Sequence, residues 1–73
     1  MVTEIPIRGE MIRLGQLLKL AGLIDTGAEI KHLLATETVL VNGAPEDRRG
    51  RQLHPGDVVT VRDQGLRVSR GRT

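Results

Sequence analysis

Cysteine is absent from the 73-residue sequence, and so are phenylalanine, tyrosine and tryptophan. Without cysteine the chain has neither a disulfide framework nor a thiolate metal site. In so short a chain, this absence also favours a reducing, intracellular compartment. Without aromatic rings, the protein cannot bind unpaired nucleic-acid strands by stacking bases on Phe, Tyr or Trp.

Long hydrophobic runs are also missing. No apolar stretch approaches the roughly 20 residues needed to cross a bilayer, and the N-terminal MVTEIPIRGE lacks the apolar core of a signal peptide. We therefore expect a soluble cytoplasmic protein. Its length predicts one domain, residues 1–73, with a core at 12–61 and a frayed basic tail at 69–73.

Residues for catalysis are scarce. The two histidines, His32 and His54, do not form a zinc-binding pattern. The only serine, Ser69, lies near the end of the chain with no evident base. Glu46 and Asp47 are adjacent in a predicted loop, where solvation is a better explanation than acid–base chemistry. We therefore predict no enzymatic activity, no metal and no cofactor, while the role of Glu46 and Asp47 stays open.

Charge is the strongest compositional signal. The net charge is only +2, yet residues 1–47 carry −3 and residues 48–73 carry +5. Only Lys19 and Lys31 among the eleven cations are lysines. Arginine suits bidentate contacts with phosphate better than lysine does. The distribution therefore indicates an anionic partner on one face of the protein.

Hydrophobic periodicity predicts two helices. Leu14, Leu17, Leu18 and Ala21 occupy one helical face, and Gly22 supplies a stop signal. The second helix begins with a capping box at 26–29. Its apolar face comprises Ile30, Leu33 and Leu34. Gly27 shares this side of the helix, which predicts that the two helices approach closely there.

The remaining elements are predicted strands and turns. Pro6 assigns strand 4–8 to a sheet edge, and further strands are predicted at 38–41, 58–61 and 66–68. Asn42-Gly43 is a hairpin signal, His54–Asp57 fits a type II turn, and a third turn is expected at 63–65. The predicted fold class is α+β, with a two-helix hairpin packed on a small, mostly antiparallel sheet.

In this order and spacing, residues 12–61 resemble the alpha-L RNA-binding domain, named after small-subunit ribosomal protein S-four. The shared pattern is a leucine-rich helix, a second helix, Val-x-Val-Asn-Gly and Leu-x-x-Gly-Asp-x-Val. The matching residues are Leu17, Leu18, Gly22, Val39, Val41, Asn42, Gly43, Leu53, Gly56, Asp57 and Val58. The chain is most similar to small stand-alone bacterial members, sometimes called the YbcJ-like or YaaA-like group.

The resemblance implies binding of structured RNA, often ribosomal or transfer RNA. Many members carry Ser-Arg where this chain has Thr26-Gly27, so that Arg contact is missing and Lys31 is a candidate substitute. The lack of aromatic residues favours folded or double-stranded RNA, recognised through phosphate and shape. The candidate RNA-binding residues are Lys19, Lys31, His32, Asn42, Gly43, Arg48, Arg49 and Arg51.

Two other partners fit the same cations. A small adaptor could use the basic face to bind an acidic protein, and DNA would be attracted by the same charge. Neither predicted helix carries the Arg, Asn or Gln set expected of a major-groove reader, which disfavours DNA. We expect a monomer that binds RNA, with the acidic protein partner as the alternative.

Overall fold

The computed structural model describes residues 2–71 and confirms the α+β class. Within that range, two helices and seven strands follow one another along the chain. They are β1 (Val2–Ile7), β2 (Ile12–Arg13), α1 (Leu14–Leu20), α2 (Gly27–Thr36), β3 (Leu40–Val41), β4 (Ala44–Pro45), β5 (Gln52–Leu53), β6 (Val58–Val61) and β7 (Gln64–Arg70). Neither helix has the length and apolar character needed to cross a membrane.

The larger sheet is mostly antiparallel, as predicted. Its strand order is β1-β7-β6-β3-β4, and only the β1–β7 pair is parallel. The carbonyl oxygen of Ile7 accepts a hydrogen bond from the N–H of Gly71 at 2.8 Å, so the backbone groups of Ile7 face β7. The backbone groups of successive residues in a strand point to opposite sides. The backbone of Pro6 therefore faces the open edge of the sheet, where its missing N–H loses no hydrogen bond.

The predicted frayed tail is wrong for the residues that the structure describes. Ser69 and Arg70 belong to β7 and lie opposite Pro6 and Ile7 of β1. Residues 72–73 lie outside the described residues. The parallel pairing joins the two ends of the sequence, and a local pattern of polar residues and glycine carries no sign of such a contact.

Two of the three predicted turns are confirmed. Asn42 and Gly43 have φ values of 51° and 85° and connect β3 to β4. Gly56 has a φ of 100°, and the N–H of Asp57 donates to the carbonyl of His54 at 2.9 Å. Left-handed glycine and this backbone bond are the features of a type II turn.

The third turn lies earlier than predicted. Arg62 and Asp63 have φ values of 50° and 62° and form the turn, whereas Gln64 and Gly65 already belong to β7. A two-residue hairpin of type I′ needs positive φ at both central residues. Glycine adopts positive φ most easily, so a prediction guided by Gly65 places this turn too late. Arg62 is held by donating to the Glu37 carboxylate from Nε at 2.8 Å and from Nη2 at 2.7 Å.

Among the described residues, the buried side chains of the core are all Ile, Leu or Val. Leu14, Leu17 and Leu18 of α1 are fully buried, which confirms three of the four residues of the predicted apolar face; the fourth, Ala21, is the C-cap and is partly buried. The three leucines pack in one cluster with side chains from α2, the loops and the sheet. The other members are Ile5, Ile7, Ile24, Ile30, Leu33, Val39, Val41, Leu53, Val59, Val61, Leu66 and Val68.

The close approach involves Gly15 rather than Gly27. A Cβ atom at Gly15 would lie 3.0 Å from Cδ1 of Ile30 and 3.5 Å from Cβ of Arg49. A Cβ atom at Gly27 would have no neighbour nearer than Nη1 of Arg49, at 4.0 Å. The predicted close approach of the two helices at Gly27 is therefore wrong. The nearest neighbour of this glycine is the side chain of Arg49, which belongs to a loop and not to α1.

Replacing Thr26 should destabilise α2. The side chain of Thr26 accepts a hydrogen bond from the N–H of Glu29 at 3.3 Å. We expect Thr26→Ala to lower the free energy of unfolding by about 1 kcal/mol, measured by chemical denaturation. Thr36→Ala is the matched control, because Thr36 donates to the carbonyl of His32 near the other end of the helix and caps no free N–H. Equal losses in the two variants would contradict the cap.

A branched side chain at Gly15 should be far worse than the same change at Gly27. Both positions lie in the first turn of a helix, so Gly15→Val and Gly27→Val carry a similar propensity cost. Only Gly15→Val overpacks the contact with Ile30 and Arg49, which should cost about 1–3 kcal/mol more. Thermal and chemical denaturation of the pair would test this, and equal stabilities would contradict the close approach.

Candidate nucleic-acid interface

The arginine-rich loop, residues 46–51, is fixed to the start of α1 by its backbone. The N–H of Leu14 donates to the carbonyl of Arg51 at 2.9 Å, and the N–H of Gly15 donates to the carbonyl of Arg49 at 3.0 Å. The guanidinium of Arg13 donates to the carbonyl of Gly50 at 3.2 Å. N–H groups in the first turn of a helix lack partners within it, and here the loop supplies acceptors.

This attachment creates two adjoining depressions that share Arg49. The first lies between α1, the start of α2 and the loop, and is lined by Arg13, Gly15, Gln16, Lys19, Gly27, Ile30, Arg49 and Gly50. The second runs along α2 and is lined by Lys31, Leu34, Ala35, Asp47 and Arg49. We call the two together the basic groove.

The basic groove collects cations that have no acidic partner. Arg48, Arg51, Arg62 and Arg70 form ion pairs with carboxylates. Within residues 2–71, the cations without an ion pair are Arg8, Arg13, Lys19, Lys31, Arg49 and Arg67. All of these except Arg8 and Arg67 line the basic groove, which makes it the most suitable described surface for an anion.

Glu46 is the partner of the other two loop arginines. Its carboxylate accepts from Nε of Arg48 at 2.9 Å and from Nη1 of Arg51 at 2.9 Å. It also accepts from the N–H of Arg48 at 3.1 Å. These bonds, led by the one from the Arg48 side chain, lower the pKa of Glu46 to about 2. The carboxylate is therefore charged at neutral pH, and its side chain is only 6% exposed.

The paired arginines line a neighbouring depression. It is formed by Arg48, Gly50, Arg51, Gln52 and His54, and we call it the arginine pocket. Gly50 belongs both to this pocket and to the basic groove. The loop thus presents one arginine without an ion pair, Arg49, and two arginines held by Glu46.

Three predicted contact residues lie elsewhere. Asn42 uses its amide within the fold, donating to Asp57 at 3.1 Å and accepting from the N–H of Val58 at 3.0 Å. Gly43 completes the turn, and His32 is exposed on α2. None of the three lines the basic groove or the arginine pocket.

The sequence prediction missed two groove residues, Arg13 and Gln16. Arg13 lies in β2 opposite Gln52 of β5, a two-residue pairing with no periodic signal. Gln16 is bound to it, because its side chain accepts from the N–H of Arg13 at 3.3 Å. In the sequence, these two residues appear only as polar residues on either side of Leu14. Such a pattern is typical of any helix start and does not indicate a binding site.

Comparison with known proteins identifies the class. A family model described as the S4 domain matches residues 5–69, and the chain belongs to this family. The S4 domain is an RNA-binding domain, which confirms the resemblance inferred from the sequence.

A curated relative extends the comparison beyond the family. Over 65 residues the chain is 49% identical to a Bacillus subtilis (strain 168) protein named "Probable ribosome maturation protein RlbA". The match covers 89% of this chain and 92% of that protein.

Removing the Glu46 carboxylate should change how stability depends on pH. The pKa of Glu46 in the folded protein lies below the value of about 4.3 for an unperturbed glutamate. The charged carboxylate therefore stabilises the folded state fully at pH values above about 4.3. This contribution is lost as the pH falls through about 2. We therefore expect Glu46→Gln to be less stable than the wild type at pH 7, with the difference shrinking between about pH 5 and pH 2.

Thermal denaturation across this pH range would measure the effect. Glu4→Gln is the matched control, because it removes the same charge from an exposed position of β1 that makes no ion pair within the described residues. A Glu46→Gln curve that parallels the wild-type curve at every pH would contradict the role of the ion pairs.

Proposed function

We propose that this protein is a non-catalytic factor that binds folded RNA through phosphate and shape contacts in the basic groove. We further propose that it acts in ribosome maturation, the role stated in the name of its Bacillus subtilis relative. Membership of an RNA-binding family supports the first part. The high identity, which extends over nearly the whole of both chains, supports the second.

The observation that carries the proposal is the concentration of cations without ion pairs. Arg13, Lys19, Lys31 and Arg49 come from four different segments of the chain and line two depressions that share Arg49. Phosphate groups dominate the affinity of proteins for nucleic acids. A groove lined by such cations can follow a phosphate backbone, with Arg49 at the point where the two depressions meet.

The start of α2 adds a second attraction. Gly27, the first residue of this helix, lines the groove beside Arg49. Backbone N–H groups and the positive end of the helix dipole favour anions at such a position. The absence of a side chain at Gly27 lets a phosphate approach the backbone. This arrangement takes the place of the Arg contact found in many members of the family.

Folded RNA fits this surface better than an unpaired strand. Proteins that splay out bases usually stack them on aromatic rings, and the chain has none. The backbones of an RNA duplex present phosphates and 2′-hydroxyl groups, while the faces of the bases stay stacked inside. Arginine, lysine and the Gln16 amide supply the donors that these oxygens need.

Binding to a hairpin RNA should depend on Arg49 far more than on another exposed arginine outside the groove. We expect Arg49→Gln to weaken binding about tenfold and to reduce the log–log salt slope by about 0.9, as the loss of one phosphate contact requires. Arg67→Gln is the matched control. It removes a guanidinium without an ion pair from β7, outside the groove, and should change affinity less than about twofold.

Fluorescence anisotropy over a series of salt concentrations would provide both quantities. Equal losses for the two variants would mean that only net charge matters, and would overturn the groove as the binding site. A protein partner captured from cell extract that stays bound after nuclease treatment, combined with a flat salt slope for RNA, would favour the acidic-partner alternative.

A further inference from the structure

Glu46 occupies an unusual position for an acid in a surface that binds an anion. It lies in the arginine-rich loop, whose arginines line the basic groove and the arginine pocket, and would repel phosphate if it were exposed. Its side chain is only 6% exposed, whereas those of Arg48 and Arg51 are 73% and 40% exposed. The acid is thus largely shielded from solvent, whereas the two cations that it binds are exposed.

Hydrogen bonds to Glu46 restrain both guanidinium groups. Arg48 uses Nε and Nη2 to contact both carboxylate oxygens, at 2.9 Å and 3.4 Å, and Arg51 uses Nη1 at 2.9 Å. A guanidinium carries five N–H groups, so both arginines keep donors for another acceptor. Arg48, held through two nitrogens, loses more rotamer freedom than Arg51, which is held through one.

We propose that Glu46 is a specificity-determining residue, which holds Arg48 and Arg51 as a rigid pair that accepts phosphates of folded RNA and disfavours flexible single strands. This inference rests on the proposed function. The carboxylate cancels one of the two positive charges, which weakens attraction for any polyanion. It also sets the positions at which phosphates must lie, a requirement that a folded RNA meets without an ordering cost.

Free arginines in the same loop would behave differently. They would follow the phosphates of any strand, because their side chains could adapt to it. Electrostatic attraction of this kind depends on charge and not on the shape of the RNA. Releasing Arg48 and Arg51 from Glu46 should therefore increase binding to single strands while leaving the hairpin with little or no gain.

The test compares a hairpin RNA having a fully paired stem with a single-stranded oligouridylate of the same length. For Glu46→Gln, we expect tighter binding of the single strand and a salt slope that is steeper by about 0.7, the value for one phosphate of a single strand. The preference for the hairpin should fall about tenfold, which corresponds to about 1.4 kcal/mol. Glu4→Gln, the matched control, should leave the preference within about twofold of the wild type.

A second variant keeps the net charge. Lysine has a single nitrogen, so Arg48→Lys cannot hold the two Glu46 oxygens with two nitrogens of one planar group, while Arg51 still pairs with Glu46. We expect this variant to bind the hairpin more weakly and the single strand as before, again reducing the preference. Circular dichroism would establish that each variant is folded at the temperature of the binding measurements.

Each result has a defined meaning. A wild type that binds neither RNA overturns the proposed function and this inference with it. A wild type that prefers the hairpin, with the preference unchanged in both Glu46→Gln and Arg48→Lys, overturns only the role of Glu46. Equal gains for both RNAs in Glu46→Gln would reduce Glu46 to a simple source of negative charge, which also overturns the proposal.

Discussion

Two backbone hydrogen bonds, from Leu14 to Arg51 and from Gly15 to Arg49, join the arginine-rich loop to the first helix. They satisfy N–H groups that a helix cannot satisfy by itself, and they bring the loop against α1 and α2. Gly15 is small enough for this contact, because any larger residue would meet Ile30 and Arg49. The basic groove exists because three distant parts of the chain meet at this point.

Ion pairing then divides the cations of this surface into two groups. Glu46 holds Arg48 and Arg51, while Arg49, the residue between them, points its charge at no described carboxylate within ion-pair distance. Three neighbouring arginines that look equivalent in the sequence therefore have different environments. A net charge of only +2 is compatible with a cationic groove, since four cations without ion pairs line it and Asp47 is the one acid among its described lining residues.

Much of the fold could be predicted because its signals are local. The leucines of α1 follow the helical period, Thr26 caps α2 through Glu29, and the glycines at 43 and 56 adopt the positive φ that their turns need. Where the prediction failed, a distant contact decided the outcome. The pairing of β7 with β1 orders Ser69 and Arg70, and the Glu37 contact holds Arg62 in a turn that lacks glycine.

The candidate site shows the same division. Composition alone excluded thiolate and aromatic chemistry and pointed to an anionic partner, because those conclusions depend only on which side chains are present. The sequence also indicated Lys19, Lys31 and Arg49, which the structure brings to one groove. Only the tertiary structure added Arg13 and Gln16, assigned the Asn42 amide to the fold, and paired Glu46 with two arginines. Those outcomes depend on hydrogen-bonding partners from distant segments, which neither spacing nor periodicity encodes.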